Sequence, residues 1–315
     1  MPGETVPSLS IVIPAYNEKG NTRILCDELD QSLGGKYTYE IIFVDDGSTD
    51  GTSSELQELW QTGRAKVLRL RRNFGQSAAL SAGIKVARGD IVVTLDADLQ
   101  NDPGDIDILV NQMKDGYDVV CGWRHNRHDS LPKKLLSKLA NWLRRRLTSE
   151  PVHDSGCTLR AYKRECLEDL ELYGEMHRFI PGLLYWRGYR VGECPVNHRF
   201  RKFGATKYGW RRLGRGFLDL LVVSFWQNYS LRPIHIFGTV GFILLSLGFG
   251  TAAYLSLQRL LFGAPIADRP LLTFGLFSIV IGLQFIAFGL LADITLRVYY
   301  SVRNLESYSV DEFLD

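Results

Sequence analysis

The chain has 315 residues, enough for one large domain or two ordinary ones, and a formal net charge of +2. Charged residues make up 23% and hydrophobic ones 45%, which excludes a disordered or collagen-like chain. So balanced a charge also argues against a nucleic-acid binder.

The averages conceal two unlike parts. Residues 1–230 read as soluble globular protein, whereas 236–257 and 271–292 contain no Asp, Glu, Lys or Arg. Five cysteines (26, 121, 157, 166 and 194) form no Cys-x-x-Cys pair, which argues against a disulfide framework or zinc site and for a reducing compartment. The opening MPGETVPSLS lacks a basic and apolar leader, so no cleaved signal is expected.

In chain order, the β-branched runs 9–16, 39–46, 65–70 and 90–96 predict strands. Helical patterns fill the gaps at 19–33, 52–62, 76–87 and 103–114. Strand ends recur every 25–31 residues, the length of a βαβ unit, so a mostly parallel sheet covered by helices is expected. Ligands bind such sheets at the carboxyl ends of the strands. Three of those ends are polar here: PAYNE (14–18), DDGSTD (45–50) and DADLQ (96–100). Neither the dinucleotide fingerprint nor a P-loop is present.

Asp96 and Asp98 follow an apolar strand and offer hard oxygen ligands for Mg²⁺ or Mn²⁺, with substrate phosphates completing the shell. Asp105 and Asp107 repeat the spacing, but inside a predicted helix. Asp45 and Asp46 end another strand, where carboxylates can accept from a nucleobase imide or ribose hydroxyls. Asp-Gly-Ser is equally ordinary turn chemistry, and Thr49 or Asp50 can cap the next helix. Asp154, in HDSGC, reads by itself as a turn or cap residue. The six histidines show no metal-ligand spacing.

Residues 131–147 hold six Lys or Arg and no acid, with Leu135, Leu139, Leu143 and Leu147 four apart. That pattern fits a surface helix packed on the core or, better, a basic amphipathic helix on an anionic membrane face. Residues 204–228 include a second interfacial stretch with Trp210 and Trp226. The two uncharged runs are 22 residues each, long enough to span a bilayer, and the short loop between them predicts a helical hairpin. Eight Lys or Arg lie between 199 and 232, which puts both chain ends in the cytoplasm and the loop outside. The absence of ionisable residues from these runs favours an anchor over a channel or pump. Oligomeric state stays open, and the Gly-rich runs would permit close helix contacts, as in a homo-oligomer.

The motifs IVIPAYNE, VDDGSTDGT, RNFGQSAALSAG, DADLQNDP, GWRHNR, HDSGCTLRAY, HRFIPGL and RKFGATKYGWRRL, taken together, resemble glycosyltransferase family 2. They look like its dolichyl-phosphate-mannose-synthase-like, polyprenyl-phosphate branch. The C-terminal spans are similar to those of the bactoprenol glucosyl transferases. The resemblance covers essentially the whole chain.

It implies a GT-A fold, Rossmann-like with a mostly parallel sheet, over 1–205. A juxtamembrane segment at 206–232, two transmembrane helices within 233–298 and a cytoplasmic tail at 299–315 would follow. The implied activity is inverting transfer of a hexose, glucose from UDP-glucose above all, to undecaprenyl phosphate. It would take place on the cytoplasmic face of a bacterial inner membrane, in cell-envelope glycosylation. GDP-mannose stays open as donor.

By the same resemblance, Pro14, Ala15, Tyr16, Glu18, Asp45 and Asp46 would hold the nucleoside. Asp96, Asp98 and Gln100 would serve the metal and diphosphate. Arg124, Arg127, Arg201 and Lys207 would meet phosphates of donor or acceptor, and Asp154 would be the base candidate. Thr206 stands where the family usually has Ser before the lysine. The acceptor phosphate is mostly a dianion at pH 7, because its second pKa is about 6. It needs little base catalysis, so Asp154 is expected chiefly to orient groups. A processive synthase lacks its Q-x-x-R-W motif here, while a non-catalytic nucleotide-sugar sensor and a flippase remain the contrasting classes.

Overall fold

The computed structural model describes residues 7–124, 152–168, 170, 172, 174, 176–199, 224–225, 233–267 and 269–303. The chain divides into two compact units, Met1–Val223 and Ser224–Asp315.

The first unit alternates β1 (Leu9–Ala15), α1 (Asn21–Leu33), β2 (Tyr39–Asp45), α2 (Thr52–Gln61), β3 (Lys66–Arg69), α3 (Gln76–Val86), β4 (Ile91–Thr94) and α4 (Ile106–Met113). It continues through β5 (Val119–Arg124), β6 (Arg160–Lys163), α5 (Ile180–Trp186) and β7 (Val191–Val196). The strands form one sheet in the order β3-β2-β1-β4-β6-β5-β7. All pairings are parallel except those of β6, which runs against β4 and β5. The first eight elements fall where the sequence periods put them. Strands β5 to β7 and the reversed β6 were not legible in those periods.

Alternation along each strand builds two apolar layers. Ile11, Ile13, Ile41, Phe43 and Val93 pack with Leu25, Leu29 and Leu109 of α1 and α4. Val12, Ile42, Val44 and Val92 face the opposite way and pack with Leu80 of α3 and Leu184 of α5. Helix α3 lies so close to the sheet that a Cβ on Gly83 would sit 2.4 Å from Val12 Cγ1. All five cysteines are buried free thiols.

The second unit holds α6 (Ile234–Phe262) and α7 (Pro270–Arg303). Both are long and apolar enough to cross a membrane. Gly263, at φ 63°, closes α6 in the left-handed conformation that favours glycine. The helices pack through glycines seven residues apart. A Cβ on Gly241 would lie 2.7 Å from the Gly282 carbonyl oxygen, and one on Gly248 2.7 Å from that of Gly275. Gly289 meets Ile234 in the same way. A seven-residue repeat keeps one stripe of an α-helix facing its neighbour, and small residues let the backbones touch. The outer faces expose Phe242, Phe249, Phe274, Phe277 and Phe288. The uncharged run at 271–292 does not end its helix: α7 continues through Asp293, so that helix does carry ionisable residues toward its end.

Candidate active site

Because β6 alone is reversed, the carboxyl ends of β1 to β5 share one edge of the sheet. Strand order reverses at β1, with β2 on one side and β4 on the other. A crevice forms at such a switch point. Its lips are the end of β1, with Pro14 and Ala15, the following Tyr16 and Glu18, and the segment after β4 with Asp96, Asp98 and Gln100. Glu18 acts electrostatically on Asp96.

The first lip is held by the β2–α2 turn. The amides of Asn17, Glu18 and Lys19 donate to Ser48 Oγ (3.0 Å), Thr52 Oγ1 (2.9 Å) and Asp50 Oδ2 (3.2 Å). Gly20 N donates to the Glu55 carboxylate at 2.9 Å. Asn17 takes a left-handed φ of 54° and accepts from Thr49 N at 2.8 Å. Partial desolvation pushes the Asp50 carboxyl up, but hydrogen bonds from Thr52 and the Lys19 amide outweigh it and hold the group below its usual range.

Asp45 and Asp46 are almost fully buried. Asp45 accepts from Ser48 N (2.9 Å) and the Ser53 hydroxyl, with Arg69 Nε at 3.8 Å. Asp46 accepts from Phe74 N (2.7 Å) and Gly75 N (2.9 Å), clasping the β3–α3 loop to the end of β2. Gly47, at φ 73°, makes room for that loop, since a Cβ there would lie 2.6 Å from the Arg72 carbonyl carbon. Both carboxylates therefore serve the turn and loop beside them, a role compatible with facing a nucleoside.

Asp96 is different. Gln76 Nε2, in the first turn of α3, donates to its Oδ1 at 2.7 Å. Burial and the neighbouring Asp98 raise its pKa well above the usual carboxylate range; Thr158 and Arg124 oppose the rise, and Glu18 adds to it. Asp98 is buried and accepts from Gln100 N at 3.1 Å, while Leu99 between them turns through φ 60°. Buried Asp98, half-buried Asp96 and half-buried Glu18 thus act on one another electrostatically. Among the described residues, no group of three His, Cys, Asp or Glu side chains forms a metal site on its own. Two carboxylates completed by substrate phosphates fit that donor set.

On the far side, Arg124 ends β5 and Asp154 answers it. Nε donates to Oδ2 at 2.7 Å and Nη2 to Oδ1 at 2.9 Å, a two-point pair in which both side chains are largely buried. Gly156 N adds a third donor to Asp154 at 3.2 Å. A carboxylate engaged in this way is well placed to fix a guanidinium.

Several contributors escaped the sequence reading. Gln76 touches Asp96. Ser77 Oγ meets His177 Nδ1 at 2.8 Å, joining α3 to the 176–178 turn. Buried Arg160 donates to the carbonyls of His177 (3.0 Å) and Ser155 (2.6 Å). Gln76, Ser77 and His177 lay inside the family-like motifs, yet spacing alone gave them no partner. The second Asp-x-Asp is structural. Asp105 accepts from Asn197 N (2.6 Å) and Nδ2 (2.9 Å), and Asp107 accepts from the Tyr37 hydroxyl and Lys36 Nζ. Arg127, Arg201 and Lys207 lie outside the described residues, as do the 131–147 segment and nearly all of 204–228.

The Glycosyl transferase family 2 model matches residues 10–171, more than half of the chain. The chain belongs to that family. It is 38% identical, over 98% of its length and 93% of the relative's, to the dodecaprenyl-phosphate galacturonate synthase of Rhizobium johnstonii. It is also 38% identical, over 97% of its length and 93% of the relative's, to the undecaprenyl-phosphate 4-deoxy-4-formamido-L-arabinose transferase of Klebsiella pneumoniae. Among solved structures, glucosyl-3-phosphoglycerate synthase from Mycobacterium tuberculosis, bound to Mn²⁺, UDP and glucosyl-3-phosphoglycerate, superposes with TM-score 0.54. That likeness covers 72% of this chain and 85% of the other at 20% identity, and identifies the fold as GT-A. The family protein described here is therefore a glycosyltransferase, with the switch-point crevice as its candidate active site.

Proposed function

We infer that this family member transfers a sugar from a nucleotide donor to a polyprenyl phosphate, with inversion, at the cytoplasmic face of a membrane. The observation that carries this reading is the full-length match to two relatives named for polyprenyl-phosphate acceptors. That match runs through both the crevice and the apolar hairpin, whereas the likeness to the mycobacterial synthase covers only 72% of the chain.

Pro14, Ala15, Tyr16 and Glu18 flank the nucleoside, with Asp45 and Asp46 shaping the wall beside it. Asp96 and Asp98 hold Mg²⁺ or Mn²⁺, and Gln100 meets the diphosphate. The cation supplies charge neutralisation for the departing nucleoside diphosphate. Arg124, together with Arg127, Arg201 and Lys207, gathers substrate phosphate. Asp154 orients Arg124, and the acceptor dianion attacks without a dedicated base. Residues 1–205 form the catalytic domain and 233–298 the anchor, with 206–232 at the membrane surface and 299–315 as a cytoplasmic tail.

UDP-glucose is the donor favoured by the resemblance to bactoprenol glucosyl transferases. The two relatives carry other sugars in their names, so the test is a panel. Purified full-length protein in detergent is given undecaprenyl phosphate and Mg²⁺ or Mn²⁺. UDP-glucose, UDP-galacturonate and GDP-mannose are supplied in turn, and lipid-linked sugar is measured. Transfer from a UDP-sugar is expected. Binding of UDP-sugars without transfer to any polyprenyl phosphate would instead make the chain a membrane-tethered sensor.

A further inference from the structure

Glu193 sits on edge strand β7, opposite Cys121 in the β5 register, and its side chain is only 11% exposed. Among the described residues no Lys or Arg pairs with it. A buried carboxylate without a cationic partner is costly unless its lone pairs are used. Here they are. His153 N donates to both oxygens at 3.0 Å, Asp154 N donates to Oε1 at 3.0 Å, and His153 Nδ1 lies 2.8 Å from Oε2.

The same two residues meet the end of β5. The His153 ring stacks on Trp123, with centroids 5.2 Å apart and planes 26° apart. Asp154 holds Arg124 at two points. One carboxylate thus fixes a dipeptide whose side chains seat Trp123 and Arg124. The seat has little slack, because a Cβ on Gly156 would lie 2.8 Å from Arg124 Nη2. A guanidinium recognises phosphate through a rigid fork, so its orientation governs its use.

We propose that Glu193 is a positioning residue: it sets the 153–154 backbone so that Asp154 presents Arg124 to a substrate phosphate. This rests on the reading of Arg124 as a phosphate ligand. The competing reading is that Glu193 only stabilises the chain reversal before β6.

The two readings differ in coupling. Full-length protein in detergent is prepared as Glu193→Ala, Glu193→Gln, Arg124→Ala and the Glu193→Ala/Arg124→Ala double variant. Dissociation constants are measured for UDP with Mn²⁺ and for a short-chain polyprenyl phosphate. Arg124→Ala should weaken one of these ligands by about 10- to 100-fold, the scale of a charge-assisted pair. Glu193→Ala should weaken the same ligand by about tenfold and leave the other within about twofold, and the double variant should bind no worse than Arg124→Ala alone. Glu193→Gln keeps one acceptor oxygen and should fall between wild type and Glu193→Ala; it carries the test if Glu193→Ala does not fold.

Additive losses in the double variant would overturn the positioning role while leaving Arg124 a phosphate ligand. The positioning role is equally overturned if the Glu193 variants bind like wild type while Arg124→Ala does not. Wild-type binding of both ligands by Arg124→Ala would instead overturn the reading of Arg124 itself, and the Glu193 proposal with it.

Discussion

Two acidic pairs end neighbouring parts of one sheet, and they do opposite things. Asp45 and Asp46 spend their oxygens on amides and a hydroxyl of adjoining loops. Desolvation pushes Asp96 toward its neutral form, and the charges of Asp98 and, more weakly, Glu18 add to that push. The first pair is internally compensated and acts as a clasp. In the second, desolvation and Asp98 raise the pKa of Asp96, and a bound cation would relieve the like-charge repulsion. Residue type is shared, so the roles follow from what donates to each oxygen.

The sharpest way to break this contrast is to remove one member of each pair. Asp98→Ala should lower sugar transfer by about a hundredfold or more, in line with losing a metal ligand that stabilises departing charge. It should also abolish the rise in melting temperature that Mn²⁺ gives the wild type, a rise worth about 2.7 kcal/mol at a hundred times Kd. Full Mn²⁺ stabilisation in that variant would place the cation elsewhere.

Asp46→Ala should act on the fold first. It strips two part-buried hydrogen bonds, from Phe74 N and Gly75 N, of their acceptor, at a cost of about 1–3 kcal/mol. Denaturant unfolding measures that loss, while the Mn²⁺ response should persist. A stable Asp46→Ala that no longer binds nucleotide would dissolve the contrast and make Asp46 a direct ligand.

A further carboxylate, near the amino-terminal end of β2, calibrates both pairs. Glu40 is buried, yet bonds from Lys66, Ser10 and the Arg88 amide hold its pKa below the usual range. A depressed folded pKa contributes stability above the unfolded value, about 4.3, and loses it as pH falls through the folded one. Melting of the wild type should therefore decline on that acid limb, and Glu40→Gln should flatten the decline without altering transfer near pH 7. An unchanged acid limb would remove Glu40 from the account.

The smallest effect belongs to Asp107. Its bonds to the Tyr37 hydroxyl and Lys36 are partly exposed, so Asp107→Ala should cost about 0.5–1 kcal/mol and leave transfer intact. Loss of activity comparable to Asp98→Ala, with the fold preserved, would show that the strand-end position of Asp96 and Asp98 is not what marks the metal site.

The sequence by itself determined β1 to β4, α1 to α4, the apolar hairpin and the strand-end position of the acids. Those are local properties: side-chain period, turn residues and run length act over a few positions, and the chain need not fold to display them. It also exposed the glycines of 241–289, though not that Gly241 meets Gly282 and Gly248 meets Gly275. The tertiary structure decided which acid is a clasp and which faces a neighbour of like charge. It joined Asp46 to a loop 28 residues on, Arg124 to Asp154 across 30, and His153 to Glu193 across 40. No local pattern records such pairings: the first exists only once β3 lies beside β2, and the other two only once β5, β6 and β7 come together in the sheet.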